Sequence, residues 1–143
     1  KKRRMMKDNN MVYSAMETPD GHILESLHRH MYVTYEDKNG KHYMLDGGND
    51  YIRCSINGDE KFITLYSTDS IELIREKLKR WSSNQNKWIL LKNIDPDWLD
   101  GIIEHYIPRR MMIGSMEDKF ILQYIKEKQY RNLDLELINK DYE

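Results

Sequence analysis

The sequence predicts an α+β fold: an antiparallel β-meander of four to five strands in the N-terminal half, packed by two to three C-terminal helices. Three observations predict it. Turn-forming clusters punctuate the chain at short intervals up to Ser67, and beyond that point the apolar residues change from alternation to three- and four-residue spacing. The 143 residues are 39% hydrophobic and 33% charged, with a mean hydropathy of -0.84, which is the balance of a soluble domain with a modest core. This length suits one domain, read as 11–132 between a basic arm (1–10) and a C-terminal tail (133–143).

Met11 to Glu17 alternates loosely and runs into Thr18-Pro19-Asp20-Gly21, where Pro presets one turn position and Gly supplies the positive φ of another. His22 to Glu36 forms the next strand segment and ends at Asn39-Gly40, a hairpin cue. Lys41 to Leu45 follows, then the Asp46-Gly47-Gly48-Asn49-Asp50 interruption, Tyr51 to Ile56, an Asn57-Gly58-Asp59-Glu60 turn and Lys61 to Ser67. Asp69 with Glu72 three residues on forms a capping box, and Ile71, Ile74, Leu78 and Trp81 make a helical stripe expected to lie on the sheet. Trp88 to Ile94 reads as a strand. Asp95-Pro96 opens a second helix with Leu99, Ile102, Ile103 and Tyr106 inward, and Ser115 opens a last one to about Asn132.

Composition excludes several classes. Cys54 is the single cysteine, so no intrachain disulfide or cysteine-based zinc ribbon can form. No apolar run approaches the roughly 20 residues that cross a bilayer, and the first residues lack the apolar core of a signal peptide, so the expected location is the cytoplasm and no membrane partner is expected. Formal charge is -1, yet Lys1, Lys2, Arg3, Arg4 and Lys7 gather at the start, leaving an acidic body. That asymmetry argues against a general nucleic-acid coat. Nucleophile-elbow, Walker-type and paired-carboxylate patterns are missing, and Cys54 reads as a core thiol, so no catalytic residue and no cofactor are assigned.

The densest group of functional residue types is His28-Arg29-His30 with His42, Asp46, Asp50 and Arg53. Two histidines on one strand face suit a metal, but a two- or four-residue loop at Asn39-Gly40 puts Asp46 with Met31, Val33 and Tyr35, on the opposite face. No metal site is assigned. His-x-His also marks two-histidine phosphodiesterases, which need a second copy that this chain lacks. His28, His30, Tyr51 and Arg53 with the backbone of Gly47 and Gly48 form a candidate anion or ligand site; the competing reading is a plain turn fixed by Asp50. Arg75, Lys79, Arg80 and Lys87, interleaved with Trp81 and Trp88, form a candidate nucleic-acid surface, with Glu72 and Glu76 placed to offset their field. Arg109, Arg110, Met111 and Met112 form a candidate partner-docking corner. Phe120, Tyr124 and Tyr130 form an aromatic stripe suited to a partner or a second copy.

Pro19-Asp20-Gly21, Glu25-Ser26, His28-Arg29-His30, Tyr32 and Asp46-Gly47-Gly48-Asn49-Asp50-Tyr51-Ile52-Arg53 together resemble a family of small, uncharacterised phage-encoded proteins. The resemblance covers roughly the first half of the chain and continues weakly from Ile74 to Trp81. Met31 stands where the family usually has Asp, and Cys54 where it usually has a second Arg. Where some relatives carry a zinc ribbon on the hairpin, this chain has Pro-Asp-Gly and Lys-Asn-Gly turns. The resemblance implies a non-catalytic phage accessory protein in the host bacterial cytoplasm, binding and modulating or inhibiting a host protein, with anti-defence as one such role. A nucleotide- or nucleic-acid-binding module is the alternative, and a metal-dependent hydrolase the third reading.

Overall fold

The computed structural model describes residues 2–4, 10–48, 52–106 and 116–141. The chain forms two compact units, Lys1–Tyr66 and Ser67–Glu143, whose boundary falls inside the 11–132 span. The strands pair antiparallel, and the α-helices among the described residues all follow Tyr66, so the fold is α+β.

The first unit contains strands β1 (Lys2–Arg4), β2 (Met11–Glu17), β3 (Ile23–Glu25), β4 (Tyr32–Glu36), β5 (His42–Asp46), β6 (Arg53–Ser55) and β7 (Lys61–Tyr66). They form two sheets, ordered β1-β6-β5-β4 and β3-β2-β7, rather than the single expected meander. The chain changes sheet after β1, after β3 and after β6. The last change has a clear cause: β5 and β1 occupy the two edges of β6, so β7 pairs with β2 instead. The basic start of the chain is therefore a strand of the sheet at Lys2–Arg4. Side chains of both sheets, Met11, Met16 and Leu24 with Tyr43, Leu45, Ile52 and Cys54, close into one core. Cys54 is a buried free thiol there.

Two hairpins share one turn geometry. The N–H of Gly21 donates to the Thr18 carbonyl and that of Thr18 to the His22 carbonyl, each at 2.9 Å. The N–H of Gly40 donates to the Asp37 carbonyl (3.1 Å), and that of Asp37 to the Lys41 carbonyl (2.9 Å). Each is a three-residue loop closed by a glycine at positive φ, +88° at Gly21 and +81° at Gly40. The odd loop length moves the second hairpin one residue from both registers considered above: Tyr32 pairs with Asp46 and Val33 with Leu45. Asp46 thus shares a face with Tyr32, Thr34 and Glu36 rather than with Val33 and Tyr35.

The second unit departs further from the sequence reading. The helix expected from Ile71 to Trp81 is one turn, α1 (Ile71–Ile74), with Ser70 rather than Asp69 at its N-cap and no side-chain capping bond. β8 (Lys79–Ser82) and β9 (Lys87–Leu90) then form a hairpin in which Trp81 pairs with Trp88, their rings meeting edge-on at 5.5 Å. Asn86 closes the connecting turn at φ +55°, a conformation that Asn tolerates better than most residues. Cross-strand aromatic pairing and a polar turn override the helical spacing of the apolar positions. A 3-10 turn, Leu91–Asn93, replaces the end of the strand expected to reach Ile94. α2 (Pro96–Tyr106) starts at the expected Asp-Pro, buries Leu99, Ile102 and Ile103, and receives a weak cap from the Asp95 carboxylate to the Trp98 N–H at 3.4 Å. α3 (Met116–Asp141) continues past Asn132, through the segment read as a tail.

α3 buries polar residues. Gln123 and Glu127 are wholly buried, one turn apart, beside Ile121 and Tyr124. Arg75 Nε and Nη2 reach the two Glu127 carboxylate oxygens at 2.8 and 3.1 Å, and Arg131 Nε adds a bond of 2.7 Å. The carboxylate holds the Arg75 guanidinium above its ordinary pKa against the opposing effect of burial. Arg131 Nη2 also donates to the Leu91 carbonyl at 3.0 Å, while Gln123 Nε2 and Lys126 Nζ hold the Ser67 carbonyl, each at 3.1 Å. Removing one member of such a cluster strands buried charge. Glu127→Gln should cost about 3–5 kcal/mol in urea denaturation, whereas replacing Arg75, Glu127 and Arg131 together by apolar residues of similar volume should leave stability within about 1 kcal/mol or raise it.

Candidate functional site

Pairing across β4, β5 and β6 sets Tyr32, Asp46 and Arg53 in one row on the same sheet face, and β1 extends the row at Arg4. Asp46 is buried, and Arg53 Nη2 lies 2.6 Å from its Oδ2. A buried polar group without a partner is costly, so Arg53 serves the fold as well as the surface. Tyr32, at the other end, is 56% exposed.

Gly47 and Gly48 follow Asp46 and carry the backbone against the His28-Arg29 peptide. A Cβ at Gly48 would lie 2.7 Å from the His28 carbonyl carbon and 2.9 Å from the Arg29 nitrogen. The Gly48 N–H donates to Ser26 Oγ, and Ser26 Oγ donates to the Met31 carbonyl, both at 2.8 Å. The Met31 N–H closes the turn onto the His28 carbonyl at 2.9 Å. His28 and His30 therefore stand on a turn, not on the strand expected for a shared metal-binding face. His28 Nδ1 accepts the His30 N–H at 3.1 Å, and the two rings lie 5.2 Å apart. Met31 takes the Leu27 N–H on its sulfur at 3.5 Å.

Of the candidate ligand residues, the structure brings His28, His30, Gly47 and Gly48 together and holds Arg53 beside Asp46. Tyr51 lies outside the described residues. The arrangement differs from an anion cradle: the Gly48 N–H is engaged by Ser26, and Asp46 offsets Arg53. What it builds is a rigid turn with exposed His28, Arg29 and His30. No group of three or more His, Cys, Asp or Glu among the described residues is placed to hold a metal ion.

The other candidates fare differently. Arg109, Arg110, Met111 and Met112 lie outside the described residues. Tyr124 is buried, with the Arg80 guanidinium 5.5 Å from its ring centre and donating to its hydroxyl at 3.3 Å. Arg75 covers the half-buried Tyr130 at 4.6 Å, and Phe120 is half-buried, so the expected aromatic stripe is not an open one. The basic cluster does not share a helix face. Arg75 is bound to Glu127, and alternation along β8 and β9 sets Lys79 with Trp81 and Trp88, opposite Arg80 and Lys87.

Sequence reasoning did not single out a second polar cluster in the first unit. Asp20 accepts from the Thr18 hydroxyl and from Tyr35 OH (2.5 Å), and the His22 ring stacks on Tyr35 at 3.8 Å. Asp59 accepts from Lys41 Nζ at 2.7 Å and Tyr43 OH at 3.2 Å. The Thr18 and Tyr35 hydroxyls hold Asp20 below its usual pKa, and Lys41 does the same for Asp59. The bond to Asp20 pushes Tyr35 up, burial and then Asp59 push Tyr43 up, and the bond to Asp59 raises Lys41.

Comparison with protein-family models, curated proteins and solved structures returned no match for this chain.

Gly48→Ala should destabilise the protein by about 2 kcal/mol or more, since it adds a backbone clash to the cost of a side chain at positive φ. Gly40→Ala, where a Cβ meets open space, should cost about 1 kcal/mol; chemical denaturation of the two variants distinguishes these outcomes. The titrating groups predict a plateau of stability against pH. The lowered carboxylates contribute above their ordinary 3.8, and that contribution is lost as acid titrates them. Raised Tyr35, Tyr43 and Lys41 contribute below 10.0 to 10.5, and that contribution is lost as base takes their protons. Urea midpoints should therefore fall at both ends, and Asp59→Asn should flatten both limbs.

Proposed function

We propose that this chain is a non-catalytic, phage-encoded accessory protein that binds a bacterial host protein in the host cytoplasm, and that the turn at His28-Arg29-His30 with Tyr32 is its contact surface. One observation supports the reading: among the residues that carry the resemblance to phage-encoded proteins, Ser26 and Gly48 hold the His28–Met31 turn from beneath, which presents exposed Arg29, His28, His30 and Tyr32. Tyr and Arg on a preorganised backbone are the side chains that supply most binding energy at protein interfaces. A modulating or inhibitory role, anti-defence included, follows from occupying a host surface rather than from chemistry. The nucleic-acid alternative has less support, because Glu127 neutralises Arg75 and Arg80 is held over Tyr124.

Affinity capture from infected host cells tests the proposal. The native sequence should enrich one host protein, and Tyr32→Ala and Arg29→Glu should each weaken that complex about tenfold or more by calorimetry with the purified partner. Trp81→Ala, in the other unit, should leave it unchanged. Enrichment of no host protein, or a complex indifferent to both turn substitutions, would refute it.

A further inference from the structure

The polar turn 83–86 joins β8 to β9, and Asp95 caps α2 with Trp98 in its first turn. Between these segments lies a half-open cleft of about 490 Å³, lined by Arg80, Trp81, Asp95, Trp98 and residues 82–85. Its size falls within the roughly 300–1,000 Å³ of small-ligand sites.

Its chemistry narrows the ligand. Trp81 is 44% exposed, a broad apolar surface on which a ring can stack. Ser82 is buried and its hydroxyl accepts the Gln85 N–H at 3.2 Å, while exposed Ser83, Asn84 and Gln85 contribute a hydroxyl and two carboxamides, groups that both donate and accept and so match a ligand carrying many hydroxyls. The charges in the lining, Arg80 and Asp95, offset each other, and Arg80 is already engaged with the Tyr124 ring and hydroxyl. A polynucleotide would also stack on indole, but it needs a run of cations along its backbone, and Asp95 opposes phosphate here.

We propose that this cleft binds a neutral glycan, with one sugar ring on Trp81 and its hydroxyls on the side chains of 83–85. This site is separate from the host-protein contact proposed above and rests on different residues.

The full chain, probed with an array of neutral and charged glycans and then titrated with the neutral oligosaccharide that binds, tests the assignment. The indole N–H signals of Trp81 and Trp98 report binding in proton–nitrogen spectra. A neutral oligosaccharide should shift both signals, with an affinity unchanged between about 0.05 and 0.5 M salt. Trp81→Ala should weaken binding about tenfold or more, and so should the double variant Asn84→Ala, Gln85→Ala, whose exposed turn positions leave folding intact. The proposal fails if no neutral glycan on the array binds or if both variants bind normally. It also fails if only charged glycans bind, or if a thymidine oligonucleotide shifts the indole signals with steep salt dependence while neutral sugars do not.

Discussion

Burying a carboxylate as completely as that of Glu127 is costly unless both oxygens find donors, and the second unit supplies them. Arg75 brings the turn after α1 to one side of the carboxylate. Arg131, one helical turn further along α3, bonds the same carboxylate through Nε and uses Nη2 on the carbonyl of Leu91, which begins the 3-10 turn. Three segments far apart in sequence are thereby fixed to one charge. Ile74, Leu78, Leu91 and Ile121 are buried in the same unit, but apolar burial has no direction of its own and would tolerate sliding. The ion cluster supplies the register. It also removes Arg75 from the protein's surface chemistry.

The first unit depends on a different device, the close approach of two backbones. Gly48 lies against the His28-Arg29 peptide at a distance no side chain permits, and Ser26 fills the remaining hydrogen-bonding capacity by accepting from Gly48 and donating to Met31. The consequence is a turn whose shape is set from below, leaving its own side chains outward. Asp46 and Arg53, next to it along β5 and across to β6, join the same support through an ion pair with one buried end. Residues that read in sequence as a ligand site thus act largely as a frame for the exposed turn His28-Arg29-His30.

Local chemistry was the legible part of the fold. Pro19-Asp20-Gly21, Asn39-Gly40 and Asp95-Pro96 each carry their mechanism in a few residues, and each stands where the sequence places it. Loop parity was not legible: Asn39-Gly40 announces a hairpin but does not say whether two, three or four residues close it, and three places Asp46 on the other face. Sheet exchange was hidden as well, because nothing in Asn57-Gly58-Asp59-Glu60 shows that both edges of β6 are occupied. Of the stripe Ile71, Ile74, Leu78 and Trp81, Ile74 and Leu78 are buried while Ile71 is half-buried and Trp81 exposed, because apolar residues at that spacing suit a single turn followed by a strand as well as a helix. In α3 the apolar residues drew attention away from Gln123 and Glu127, whose one-turn spacing would place them together on one face. Pairing a buried acid with Arg75 across the sequence requires the three-dimensional arrangement.

The long reach of the Glu127 cluster also orders events during synthesis. Every strand pair of the first unit is complete once the chain has been made to Tyr66. In the second unit only the β8–β9 hairpin closes so locally among the strand pairs described: the Arg75–Glu127 bond spans 52 residues and the bond from Arg131 to Leu91 spans 40. Until α3 leaves the ribosome, Arg75 has no counter-charge and the carbonyl of Leu91 has no donor from Arg131. The first unit can therefore close while the second is still open, and α3 brings together segments of the second that lie far apart in sequence.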